Sequence, residues 1–169
     1  MNDPFAIAES HVLVTGGSSG LGRFFATFLA ARGAHVTVSA RRTDALAKTV
    51  DSIANANGKA LGAVMDVTVP ASIESALDAA EARFGPVDIV INNAGVTATQ
   101  PALQQDESDW DKVIDTNLKG VWLVAQAVAR RMVAHKVKGS IVNVASILGL
   151  RGLPVPLLPT PSPRLASCR

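Results

Sequence analysis

Thr15-Gly-Gly-Ser-Ser-Gly-Leu-Gly22 is the stretch that decides the fold. It follows His11-Val-Leu-Val-Thr15 directly, a short apolar run with the character of a buried strand, and it opens a segment of helical period. In that segment Leu21, Phe24, Phe25, Phe28 and Leu29 recur at the spacing of one helix face, and Gly33 supplies a stop. A glycine turn between strand and helix lets the backbone approach a pyrophosphate closely. The helix N-terminus behind it offers free N–H groups and the positive end of a dipole. Gly16, Gly20 and Gly22 are spaced G-x-x-x-G-x-G, and no Lys-Ser or Lys-Thr follows them, so the parts that hold a triphosphate and magnesium are missing. Thr15, Gly16, Ser18, Ser19, Gly20, Leu21 and Gly22 are therefore read as a turn that binds a dinucleotide.

Outward from this turn, strand-like and helix-like segments alternate. A strand at 35–40 is followed by a helix around 44–55, a strand near 60–67 and a helix from Pro70, a residue suited to a first helical turn. Val87-Asp-Ile-Val-Ile91 reads as a fourth strand, 107 to about 135 as one long helix, and Ser140-Ile-Val-Asn-Val-Ala145 as a fifth strand. Strands separated by helices of this length imply right-handed crossovers and a parallel sheet covered on both faces. The fold expected is α/β, a doubly wound Rossmann-type sheet of five strands in the order 3-2-1-4-5, with the glycine turn at the topological switch point. At the end of the second strand, about twenty residues past the turn, stand Arg41 and Arg42. An acid there would bind ribose hydroxyls, whereas a guanidinium pairs with a 2′-phosphate, so NADP is expected in preference to NAD.

Composition bounds the remaining possibilities. With 48% hydrophobic and 18% charged residues the 169-residue chain is neither disordered nor fibrous, and no uncharged apolar stretch is long enough for a membrane span. The single cysteine, Cys168, permits no internal disulfide, and no secretory signal is visible at the N-terminus, so a cytoplasmic protein is expected. Arg151, Arg164 and Arg169, with no acid beyond residue 150, bring the net charge to +2. They form no basic stripe and have no stacking aromatics beside them, which speaks against nucleic acid as a partner. His11, His35 and His135 have no metal-ligand spacing. Pro154, Pro156, Pro159, Pro161 and Pro163 are among the nine prolines, so the chain divides into 1–150 and an irregular, proline-rich 151–169.

Over residues 8–150 the sequence resembles the short-chain dehydrogenase/reductase superfamily. Thr15-Gly-x-x-x-Gly-x-Gly22 is similar to its cofactor motif, and Asp66-Val67 to the acidic step that in the family lies against the adenine. Asn92-Asn93-Ala94-Gly95 resembles the signature after strand four, which borders the cofactor. Asn117 resembles the helix asparagine of the family's proton relay, and Ser146 its catalytic serine after strand five. The resemblance implies an oxidoreductase that moves hydride between a nicotinamide and a small carbonyl or alcohol substrate, and homo-oligomers in the complete family.

One part of the family pattern is missing. Its proton is exchanged by a tyrosine hydroxyl whose pKa a lysine four residues later lowers, and this sequence contains no tyrosine. Pro159 and Pro163 stand where the pair is expected, and the chain ends before the family's sixth and seventh strands. The leading reading is an oxidoreductase by descent whose nucleotide-binding half is intact and whose catalysis is impaired. The other reading is a non-catalytic nucleotide-binding or interaction module with a proline-rich docking tail, Pro156-x-x-Pro159 being suited to polyproline recognition. Residues from about 153 onward are expected to be translated out of frame. Codons permitted for Pro159 to Arg169, read from the last base of the first, encode Tyr-Ala-Ile-Ser-Lys-Ala-Gly, a Tyr-x-x-x-Lys element at the family's distance from Ser146. The gene sequence is the check: the shifted frame should hold that element and stay open, and a stop or another sequence there removes the idea.

Overall fold

The computed structural model describes residues 6–146; the proline-rich segment and the position expected for Tyr-x-x-x-Lys lie outside them. Five strands form one parallel sheet in the order β3-β2-β1-β4-β5, as the alternation of elements predicts. They are β1 (His11–Thr15), β2 (His35–Ala40), β3 (Lys59–Val64), β4 (Ile89–Asn92) and β5 (Ser140–Asn143). The third and fifth strands end sooner than the apolar runs suggested, and the fourth starts two residues later. All five residues of β1 are buried, as befits a strand covered on both faces, and all four of β5, an edge strand, are exposed.

Helices α1 (Gly20–Ala30) and α2 (Thr43–Asn55) cover one face, where Val12, Val14, Val36 and Val38 meet Ala26, Leu46 and Ile53. On the other face α3 (Pro70–Phe84) packs with Leu13, Met65 and Val90, together with the helical segment that follows β4. The long helix expected over 107–135 is broken into α4 (Glu107–Ile114), a π-helical turn (Asp115–Gly120) and α5 (Val121–His135). Along this segment Val113, Val124, Ala127, Val128 and Met132 are buried, while Trp110 is exposed.

The apolar face read for α1 needs a larger correction. Leu21, Phe24 and Phe28 are exposed, Phe25 and Leu29 are half-buried, and the residues turned to the sheet are Gly22, Ala26 and Ala30. A helix lying this close to a sheet has room for small side chains only, so the bulky ones are displaced around its circumference.

Arg131 of α5 ties the second helical layer together. It meets Asp78 at 2.6 Å and Glu81 at 2.9 Å and also bonds Glu74, three carboxylates on successive turns of α3. Burial alone would lower the guanidinium pKa; the three carboxylates outweigh that and raise it.

His11 is 1% exposed at the start of β1. A carbonyl oxygen can only accept, so the 2.8 Å contact of Nδ1 with Gly85 O puts the proton on Nδ1 and leaves Nε2 to accept from the Thr37 hydroxyl, also at 2.8 Å. Burial lowers the pKa of this ring, despite the Gly85 and Pro86 carbonyls and the charges of Asp88 and Glu81. Below the ordinary histidine value of 6.5 the unfolded chain therefore binds more protons than the folded one. Stability is complete above that value and falls as the pH drops through it. Urea unfolding from about pH 7.5 to about pH 5.5 should show this decline, and His11→Asn, though less stable throughout, should show a flatter one.

Candidate functional site

The carboxyl ends of β1, β2, β3 and β4 open into one cleft of about 360 Å³. Thr15 ends β1 and is buried. Its hydroxyl accepts from the backbone amides of Asn93 and Ala94, each at 3.0 Å, and so knits the turn after β4 to the turn after β1. The Asn93 side-chain amide returns across the same gap and donates to the Thr15 carbonyl at 3.0 Å.

Two glycines make this approach possible. Gly16 has φ +67°, and a Cβ there would lie 2.8 Å from Ala94 Cα. At Gly22 a Cβ would lie 2.5 Å from the Gly16 carbonyl oxygen and would also strike the Asn93 side-chain amide. Ser19 caps α1 in an extended conformation without bonding the helix N–H groups through its side chain. The N-terminus of α1 thus faces the cleft with both its amides and a hydroxyl available.

Arg41 and Arg42 follow β2 and line the cleft together with Ser18, Asp66 and Val67. Asp66 Oδ1 accepts from the Thr68 amide at 2.9 Å and the Thr68 hydroxyl at 2.7 Å. Desolvation pushes this carboxyl up; the two Thr68 bonds and the charge of Arg41 prevail and hold it below the usual carboxylate range. Gly16, Ser19, Asn93, Ala94 and Gly95 complete the part of the lining that the sequence singled out. Thr15, Gly20, Leu21 and Gly22 are not among the lining residues. Thr15 and Gly22 are buried, while the Leu21 side chain is exposed.

Asn117 lies in the π-helical turn. Its Oδ1 accepts from the Val96 amide and its Nδ2 donates to the Val96 carbonyl, both at 2.8 Å, so one side chain holds both backbone groups of the residue after Gly95. Gly120 closes the turn where a Cβ would come within 2.8 Å of Val67. Ser146, half-buried, is the last described residue and is not part of the cleft lining. It follows a segment fixed to β4 by the Val144 amide, which donates to the Asn92 carbonyl at 2.9 Å. The lining also includes Ser39, Ala40, Met65, Val96 and Thr116, which sequence reasoning missed. Ala40, Met65, Val96 and Thr116 had a signal, since each adjoins a residue the sequence singled out. Ser39 enters the cleft by its place near the end of β2. Among the described residues no three His, Cys, Asp or Glu side chains gather as for a metal, and no helix is long and apolar enough to cross a membrane.

Residues 10–157 match the short chain dehydrogenase family. The chain belongs to this family. Among curated relatives, the 3-oxoacyl-(acyl-carrier-protein) reductase FabG of Escherichia coli (strain K12) is 42% identical over 140 residues, which are 83% of this chain and 56% of that protein. Gluconate 5-dehydrogenase of Gluconobacter oxydans (strain 621H) is 37% identical over 145 residues, 86% of this chain and 56% of that protein. A short-chain type dehydrogenase/reductase from Mycobacterium marinum superposes with a TM-score of 0.87 at 37% identity, covering 91% of this chain and 63% of that one. This short-chain dehydrogenase sequence thus spans just over half the length of the curated relatives it matches.

The packing around Gly22 gives a direct test of the cleft geometry. Gly22→Ala forces a methyl group against backbone and should cost about 1–3 kcal/mol in urea unfolding, as overpacked cores do. Ala26→Gly on the same helix face makes no such clash and should lose only the smaller amount due to helix propensity, about 1 kcal/mol.

Proposed function

We propose that the chain is the dinucleotide-binding part of an oxidoreductase that prefers NADP(H) and acts on a carbonyl or alcohol substrate. The observation that carries this reading is a single cleft shared by the N-terminus of α1, the Arg41-Arg42 pair and Asp66-Val67. Gly16 and Gly22, where a Cβ would strike Ala94, Asn93 or Gly16, let the turn after β1 close against the turn after β4 that walls this cleft. When bound, the nicotinamide supplies or accepts the hydride.

The residues of the chain divide the remaining work. Ser18, Ser19 and the first amides of α1, at Gly20, Leu21 and Gly22, hold the pyrophosphate. Arg41 and Arg42 pair with the 2′-phosphate through charge-assisted bonds. Asp66 and Val67 border the adenine, Asp66 oriented by its bonds to Thr68. Asn93, Ala94 and Gly95 shape the inner wall, with Thr15 fixing them from behind. Asn117 holds the backbone at Val96 in place, and Ser146 is the group that would hold the substrate oxygen.

A proton must accompany the hydride, and near neutral pH it needs a matched acid or base. The sequence holds no tyrosine, so this chain is read as binding the dinucleotide without turning it over. The relatives named above differ in substrate, and the shared chemistry of their names is carbonyl–hydroxyl interconversion. Residues 1–150 are assigned to the dinucleotide-binding domain. The proline-rich docking reading rests on residues outside the described part, and nothing in the cleft favours it.

Titration calorimetry with both cofactors tests the reading. Replacing Arg41 and Arg42 together by Ala should weaken NADPH binding by about 1–3 kcal/mol and leave NADH nearly unchanged. Equal losses for the two cofactors remove the 2′-phosphate assignment. The same protein with excess NADPH and a panel of ketones should consume none.

A further inference from the structure

Asn57-Gly58 is the only place in the sequence where glycine follows asparagine. Asparagine is a thermally labile residue, because the peptide nitrogen that follows it lies within reach of its side-chain carbonyl carbon. A glycine in the next position has no Cβ to hinder that approach. The nitrogen of Gly58 can attack Cγ of Asn57 as it gives up its proton. The new N–C bond closes a five-membered succinimide, the bond from Cγ to Nδ2 breaks, and ammonia leaves with the proton. Water then opens one of the two ring carbonyls and leaves an aspartyl or an isoaspartyl residue, with one new negative charge. No other reactant is needed.

The fold holds both partners of this reaction in the turn between α2 and β3. Asn57 is exposed and has φ +59°, the left-handed conformation that closes a helix. Its amide donates to the Ala54 carbonyl and the Gly58 amide to the Ile53 carbonyl, both at 2.9 Å. These are the two bonds of a Schellman motif. The attacking nitrogen is therefore a hydrogen-bond donor in the folded turn, and a bonded amide releases its proton only when the bond opens. Gly58 is also tightly seated: a Cβ there would lie 2.6 Å from Ile53 Cγ2 and 3.2 Å from Ala30 Cβ. Directly beyond it Lys59 pairs with His35 and starts β3.

Neither product fits this turn as well as asparagine does. An aspartyl side chain puts a negative charge where the dipole of α2 is already negative. An isoaspartyl residue adds a methylene to the main chain between two amides whose acceptors are fixed, beside a seat with no room for one more carbon. We propose that Asn57-Gly58 is a self-modification site, kept silent by the closed α2–β3 turn and released to form the succinimide when that turn opens. Each opening then carries the chance of a mark that hinders the turn from closing again. The proposal is independent of the cofactor reading, because neither residue lines the cleft.

Peptide mapping by mass spectrometry tests the proposal on the 169-residue protein, held at mildly alkaline pH in native buffer and in denaturing urea. In urea Asn57 should convert to a mixture of aspartyl and isoaspartyl forms. Asn55, equally exposed and followed by Ala56, should stay an amide over the same time. In native buffer the conversion at Asn57 should be at least about tenfold slower, the protection expected of an amide bonded within a folded turn. Ile53→Ala removes the methyl group beneath Gly58 and should speed the native reaction without changing the rate in urea. Far-ultraviolet circular dichroism confirms that this variant is folded, and Ile53→Val replaces it if it is not. Equal rates in the two buffers, or a native rate that the folded Ile53 variant leaves unchanged, overturn the gate. An Asn57 that stays intact in urea, or reacts no faster there than Asn55, overturns the site.

Discussion

Everything in the cleft depends on one hydroxyl. Thr15 ends β1, and its Oγ1 accepts the amides of Asn93 and Ala94, residues 78 and 79 positions further along the chain. A parallel sheet opens a crevice where consecutive connections leave toward opposite faces, and β1 and β4 are such a pair: α1 leaves on one face and α3 arrives from the other. An open crevice would strand the backbone amides beyond β4 without partners, at a cost of about 1–3 kcal/mol for each buried group left unmade. Thr15 removes that cost and sets the depth of the crevice in the same contact. The glycines follow from it. With the two turns held this close, the space at Gly16 and Gly22 is already filled by backbone.

The parts of the fold legible in the sequence are those where pattern and burial coincide. The run His11–Thr15 is apolar without alternation, and all five residues are buried on both faces. The turn at Gly16–Gly22 could be read because its steric requirement leaves glycine no substitute. The buried face of α1 could not, because periodicity registers which residues are apolar and not how large they are. Leu21, Phe24 and Phe28 satisfy the pattern and fail the fit, while Gly22, Ala26 and Ala30 satisfy both. The π-helical turn was also illegible. It has no compositional mark, and it arises where the Asn117 side chain bonds Val96 and Gly120 seats against Val67, contacts that exist only once the sheet has formed. Ser39 reaches the cleft by its place near the end of β2, being an ordinary strand residue by type.

Burial declines from the centre of the sheet toward β5, and the candidate site lies across that gradient. The residues proposed to hold the dinucleotide hang from β1, β2 and β4, each with a strand on both sides, and from β3 at the opposite edge. Ser146 follows β5, all four residues of which are exposed. The strand before it is joined to β4 by the ladder, by the Asn92 carbonyl that accepts from Val144, and by the Asn92 side chain, which donates to Asn143 Oδ1 at 3.0 Å. Asn92 is 2% exposed, so its amide is buried on the β4 side of that bond. A buried donor bonded to an exposed acceptor helps fix the register of an edge strand, since a one-residue slip would leave a buried amide without a partner. The end of β5, which leads to Ser146, is thus tied from one strand away to an asparagine buried beneath the turn that Thr15 anchors. The residues proposed to hold the dinucleotide and the strand leading to the serine answer to the same constraint, reached through Thr15 on one side of β4 and through Asn92 on the other.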